Sequence, residues 1–280
     1  MADLKMLLGG LCFPEGPRWH DGKLFFSDMH AHRVISVTLE GKAENIVDVP
    51  NWPSGLGWLP DGTMLVVSMT DRRLMRLDRD GLKLVADISK LASFYCNDMV
   101  VDSKGRSYIG NFGYDLIAGA PSKPAEIVMV TPEGQARVVA DQLAFPNGTV
   151  ITPDGKTLIV GESFGHQMTA YDVAADGSLS NRRVWAKLGE SVPDGCCLDA
   201  EGAIWVATPM TNEVLRVKQG GEITHRVKTD QMAIACMLGG ADRRTLFVLT
   251  SPSIDPAKCV ALKAARIETM PVQVAGAGLP

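Results

Sequence analysis

Pro146-Asn147-Gly148-Thr149-Val150-Ile151-Thr152-Pro153-Asp154-Gly155-Lys156-Thr157-Leu158-Ile159-Val160 reads as a short apolar strand, a tight turn and a second apolar strand. Asp154-Gly155 makes the turn, because glycine reaches positive φ without a Cβ clash. Thr, Val, Ile and Leu on either side suit a pleated, half-buried surface. Working outward, the same phrase returns along the chain. It opens as Pro14-Glu15-Gly16 with the turn Asp21-Gly22, as Pro53-Ser54-Gly55 with Asp61-Gly62, and as Asn97-Asp98 with Lys104-Gly105. Beyond the starting copy it recurs as Pro193-Asp194-Gly195 with Glu201-Gly202, and degenerately as Ile234-Ala235-Cys236 before Thr245-Leu246-Phe247-Val248. A third alternating run follows in most units, for example Val34-Ile35-Ser36-Val37 and Val214-Leu215-Arg216-Val217.

Six such units in 280 residues come to about 47 residues each, close to the roughly 40–45 of a four-stranded propeller blade. The spacing predicts an all-β chain, residues 1–280 forming one six-bladed β-propeller domain. A β-sandwich would give no reason for six similar phrases. Asp87 to Tyr95 is the one stretch expected to be helical. Strands after Val248 are expected at Val260–Lys263 and Ala265–Val274. Leu4 to Leu8 is expected to complete the last blade as its outer strand and so remove an exposed edge.

In a propeller the innermost strands line a channel, so equivalent residues face one another. Alignment of the units puts Glu15, Ser54, Asn97, Asn147, Asp194 and Ala235 at one axial level. Two carboxylates and two amides there are the oxygen donors that a hard divalent cation takes. Two carboxylates also balance one divalent charge, whereas without it they would repel. The plainer reading is that these groups only brace the channel by hydrogen bonding. Ca²⁺ is the first expectation, with Mg²⁺, Mn²⁺ or Zn²⁺ as alternatives.

Glu15-Gly16-Pro17-x-Trp19, Asn97-Asp98, Pro146-Asn147-Gly148 with Thr152-Pro153-Asp154-Gly155, and Pro193-Asp194-Gly195 together resemble the gluconolactonase, senescence-marker-protein (regucalcin) and luciferin-regenerating-enzyme family. The resemblance implies a six-bladed propeller with one metal on its central axis. It implies ligands at Glu15, Asn147 and Asp194, with Asn97 nearby or bridged through water. Sugar-lactone members carry an arginine two residues before the Asn97 position, and here that position is Tyr95. An aromatic side chain suits a flatter or less polar ring than an aldonolactone.

The chemistry expected is hydrolysis of a lactone to its hydroxy acid through a metal-activated water, with Asp194 as base and Asn97 as its catalytic partner. Asn97 and Asn147 would orient the carbonyl and the developing oxyanion. The long interval between Asn97 and Asn147 holds Asn111-Phe112-Gly113-Tyr114-Asp115 and a run rich in Pro and Gly up to Pro124. This 111–125 loop is expected to cover part of the channel mouth, with Tyr95, Phe112 and Tyr114 touching substrate; an ordinary solvated loop is the other reading. Two alternatives stand beside lactone hydrolysis. One is an aryl ester or organophosphate hydrolase on the same metal, and the other a metal-holding propeller without catalysis.

Two motifs point elsewhere. Gly161-Glu162-Ser163-Phe164-Gly165 matches the nucleophile elbow of α/β-hydrolases, but a strand-like Thr169-Ala170-Tyr171-Asp172-Val173 follows where a helix is required. His30-Ala31-His32 has the spacing of a zinc pair but lacks a third ligand, and a solvated surface pair is expected. The net charge of −4, with no basic block, argues against nucleic acid or an anionic membrane as partner. The partner expected is a small-molecule lactone, and the protein is expected to be a monomer or small homo-oligomer. No apolar run reaches the roughly 18 residues of a membrane span, and Met1 to Phe13 lacks the basic leader and cleavage site of a signal peptide. Six cysteines without a C-x-x-C pair read as buried reduced thiols, hence an expected cytoplasmic location.

Overall fold

The computed structural model describes residues 3–278. Six four-stranded antiparallel sheets follow one another along the chain. Blade 1 runs from its inner strand Pro14–His20 through Lys23–Asp28 and Arg33–Val37 to the outer Ala43–Asp48. The inner strands of blades 2 to 6 are Pro53–Trp58, Cys96–Val101, Pro146–Ile151, Cys196–Leu198 and Met232–Gly239. Each inner strand contacts the next, and the sixth contacts the first, so the ring is closed.

Closure is made by the N-terminal segment. Lys5–Leu11 pairs antiparallel with Ala265–Pro271, with Lys5 opposite Thr269 and Leu11 opposite Ala265, and so becomes the outer strand of blade 6. The expected position at Leu4–Leu8 was right in kind and a little early in register. Two expectations fail. Residues 88–95 are a chain of turns that carries blade 2 into blade 3, not a helix. The α-helix lies instead at Pro256–Leu262, where a strand was expected over Val260–Lys263. Asp255 caps it by accepting from the Lys258 amide at 2.9 Å, and Pro256 stands at the first helical turn, where a missing N–H costs nothing.

The apolar core is divided among the blade interfaces rather than gathered at a centre. Val34, Leu56 and Val66 join blades 1 and 2, and Leu65, Met99 and Ile109 join blades 2 and 3. Leu24, Phe26, Phe247 and Trp205 belong to the cluster joining blades 5, 6 and 1. Since each sheet buries both faces, the strands read as nearly continuous apolar runs. All six cysteines are free and buried among these interfaces and the helix, as their spacing suggested.

The inner strands come very close together at the axial level. A Cβ on Gly16 would lie 2.7 Å from the Ser54 carbonyl oxygen, and one on Gly148 would lie 2.7 Å from the Cys196 amide nitrogen. Gly55 and Gly195 meet the same limit against Asp98-Met99 and Ala235. The recurrent x-Gly of the repeats is therefore a packing requirement of the ring as well as a local preference.

Candidate active site on the propeller axis

Pairing of the inner strand with its neighbour slips at this same level in five blades: Glu15/Arg18, Pro53/Leu56, Cys96/Met99, Pro146/Thr149 and Ala233/Ala235. A bulge breaks the strict in-and-out alternation of a strand and re-aims one side chain. Here it releases Glu15, Asn97 and Asn147 from the blade cores, and Asp194 stands just ahead of the short inner strand of blade 5. The four residues are brought together. Glu15 feels the charge of Asp194, Asn147 stands beside Asp194, and Asn97 Nδ2 donates to the Pro146 carbonyl at 3.2 Å.

Hydrogen bonds orient each group. Asn147 Nδ2 donates to Ser163 Oγ at 3.3 Å, and Ser163 Oγ donates to the Pro193 carbonyl at 2.7 Å. Both amides thus spend an N–H on protein, which leaves their oxygens for the axis. Glu15 Oε2 accepts from the Gly16 amide at 3.0 Å. Asp194 Oδ1 is shielded from solvent and has no hydrogen-bond partner among the described residues. A buried carboxylate oxygen with no partner is costly, and a cation is the partner that this donor set fits. Among the described residues no group of three or more His, Cys, Asp and Glu is arranged to hold a metal ion. The axial set is two carboxylates and two amides, the composition of an oxygen cage for a hard ion.

Burial pushes the Asp194 carboxyl up from 3.8 to about 8, with the Asn147 amide drawing it partly back and the Asp98 charge adding to the rise. Burial also pushes Glu15 well above its usual range, and the Asp194 and Asp98 charges add to it. The linkage has a definite sign. Between about pH 4 and pH 8 the folded chain keeps a proton on Asp194 that the unfolded chain releases, so stability falls as pH rises through that window. A cation held there would replace the proton and flatten the slope. Metal-free protein should therefore show a lower urea midpoint at about pH 8 than at about pH 5, with the difference reduced in Asp194→Asn. An equal pH difference in that variant would contradict a protonated Asp194.

An apolar cluster gathers on the segments that lead into the inner strands. Phe13, Met29, Met69 and Ile234 form one cluster with Trp52, Tyr95, Phe112 and Met232, drawn from blades 1, 2, 3 and 6. Phe145 extends it, stacked on Phe112 at 4.5 Å and meeting Phe164 edge-on at 5.0 Å. Polar residues ending the second strands place these rings. Asp28 Oδ1 accepts from the amides of Cys12 and Phe13, each at 2.9 Å, and Glu162 Oε2 accepts from the Ala144 amide at 2.8 Å. Tyr95 and Phe112 belong to the cluster, 6.5 Å apart, and Tyr114 packs near Phe145 and Phe164 at 6.4 and 6.3 Å. The first half of the 111–125 loop thus packs into this apolar cluster, while Ile117–Gly119 and Pro121–Pro124 are exposed.

Sequence reasoning missed several residues here. Ser163 was weighed only as a nucleophile; its single proton is committed to Pro193, and its place is to hold Asn147. Arg18 and Asp98 form a buried ion pair at 2.6 Å beside the cluster. Their signal lay in the repeats, since Asp98 occupies the position that is glycine in four other units. The histidines need a correction. His30 is buried in the turn Met29–Ala31, between Phe13 at 4.9 Å and Trp52 at 4.8 Å, and burial pushes it down to about 4. Only His32 is exposed, accepting from Trp52 Nε1 at 3.2 Å. The expected solvated pair is split by the turn, which puts one ring inside and one outside.

A six-bladed propeller with an oxygen-donor cluster on its axis defines the class. The chain belongs to the SMP-30/gluconolactonase/LRE-like family, whose model matches residues 13–252. Among its curated relatives, regucalcin of Oryctolagus cuniculus is 28% identical over 254 residues, covering 86% of this chain and 84% of that one. A lactonase, drp35, of Staphylococcus saprophyticus is 25% identical over 263 residues, covering 89% and 75%. The match to regucalcin of Danio rerio, 30% identical, spans only 58% of that protein. Among solved structures, a calcium-binding regucalcin from Agrobacterium tumefaciens superposes with a TM-score of 0.83 at 21% identity, covering 100% of this chain and 96% of that one. Among the described residues no helix is long and apolar enough to cross a membrane.

Proposed function

We propose that the chain is a metal-dependent hydrolase that opens a lactone to its hydroxy acid. The observation that carries the reading is the axial set of Glu15, Asn97, Asn147 and Asp194, with Asp194 Oδ1 buried and unpartnered. Glu15, Asn147 and Asp194 would hold one divalent cation, Ca²⁺ first. When bound, that cation polarises a lactone carbonyl and acidifies water. Asp194 takes the proton from the attacking water, a role suited to a carboxylate whose Oδ1 has no hydrogen-bond donor. Asn97 keeps its second amide N–H for the substrate oxygen, and it holds position through the Pro146 carbonyl. Lactonases and gluconolactonases among the relatives lend the reaction class its support.

The apolar cluster supports a substrate less polar than a sugar lactone. Tyr95, Phe112 and Tyr114 offer flat faces, so an aliphatic or aromatic lactone would bury there what an aldonolactone would have to strip of water. The test is a pH-stat assay on metal-stripped protein with Ca²⁺, Mg²⁺, Mn²⁺ or Zn²⁺ restored singly. The panel should set sugar lactones against aliphatic and aromatic ones, with an aryl ester and an organophosphate as further arms. Activity is expected to return only with metal and to favour the less polar lactones. Hydrolysis undiminished in the stripped protein, or no turnover of any ester with metal bound, would overturn the reading.

A further inference from the structure

Arg18 lies on the inner strand of blade 1, just past the bulge that releases Glu15, and is almost fully buried. Its guanidinium ties three blades together. Nη1 donates to the Pro17 carbonyl at 2.7 Å and Nε to the Leu56 carbonyl of blade 2 at 3.1 Å. Nη2 donates to Asp98 Oδ1 at 2.6 Å and also to the Met99 carbonyl, both in blade 3. Asp98 Oδ1 accepts in addition from the Met99 amide at 2.8 Å. The pair therefore braces the bulge that presents Asn97.

Its charge matters as much as its bonds. Asp98 directly follows Asn97 on the inner strand of blade 3, and Arg18 stands three residues from Glu15 on that of blade 1, so the ion pair borders the axial cluster. With a cation bound and their protons displaced, Glu15, Asp98 and Asp194 would supply three negative charges in low dielectric, one more than a divalent cation offsets. Arg18, paired with Asp98, supplies the missing positive charge.

We propose that Arg18 is a charge-setting and positioning residue of the axial site: by cancelling Asp98 it leaves the site a net charge matched to one divalent cation. This rests on the metal reading above. It assigns Asp98 a role distinct from that of a ligand, since its Oδ1 is already held by Arg18 and Met99. Removing Asp98's charge alone leaves the Arg18 cation facing the metal, whereas removing both charges restores the balance.

The test is calorimetric titration of metal-stripped protein with Ca²⁺ and with Mn²⁺, alongside thermal unfolding of the metal-free forms. Asp98→Asn is expected to weaken cation binding by about 10-fold or more, the usual scale for partners of metal ligands. Arg18→Met combined with Asp98→Asn should return affinity to within about threefold of wild type. Arg18→Lys keeps the charge but loses the fork, so it should lower the melting temperature while leaving affinity within the same about threefold range. A double variant as weak as Asp98→Asn, or Arg18→Lys as weak as Asp98→Asn, would overturn the charge-setting role and leave only a structural brace. Wild-type protein that binds neither ion would instead overturn the metal reading itself and this inference with it.

Discussion

Asp194→Asn is expected to lower lactone turnover by about a thousandfold under saturating cation, with little change in KM. The substitution keeps shape and one oxygen donor, so the site still assembles, but the amide cannot take a proton. A loss confined to kcat identifies the base, because weakened metal binding alone would be recovered by adding cation. Asp194 rather than Glu15 is the proposed base because of its surroundings. Asp194 Oδ1 has no donor, whereas Glu15 Oε2 is held by the Gly16 amide. Turnover within about tenfold of wild type, with cation shown by calorimetry to be bound, would move the base elsewhere.

Gly148→Ala is expected to be among the most destabilising small substitutions in the chain, on the order of 3 kcal/mol. The added methyl would meet backbone, with the Cys196 amide nitrogen at 2.7 Å and the sulfur at 3.0 Å, and backbone in a closed ring cannot retreat. For a domain of this size the loss corresponds to a fall of roughly 6–12 °C in Tm. The same push displaces the Pro193–Cys196 segment that carries Asp194, so cation affinity should fall with stability. Gly155→Ala is the control: it sits in a hairpin turn with open space around its Cβ position, and its cost comes from its φ of 69° alone. A melting temperature for Gly148→Ala equal to that of Gly155→Ala would show that the inner strands do not meet as described.

Five turns such as Asp61-Gly62 and Asp154-Gly155, each between two apolar runs, together with a degenerate sixth unit, were enough to count the blades. Local turn chemistry and strand pattern are written in contiguous residues. Alignment of the units also picked out Glu15, Asn97, Asn147 and Asp194, because a repeated fold carries equivalent residues to equivalent places. The failures came where a local pattern had a tertiary meaning. Val260 and Leu262 look like strand residues but ride on a helix started by Asp255-Pro256. His30 and His32 look like one pair, yet the turn between them buries only the first.

What the sequence determined by itself is therefore the all-β repeat, its sixfold count, the closing of the last blade by the N-terminal strand and the polar set at the axis. Each of these follows from spacing and residue type within one unit, compared across units. Tertiary structure alone decided that Arg18 reaches Asp98 across 80 positions, that Ser163 holds Asn147, and that aromatic rings from separate blades gather in one cluster. Those contacts join residues of unlike units at unlike positions. No periodicity encodes such a meeting; it arises only when the ring closes and brings distant side chains within hydrogen-bond reach.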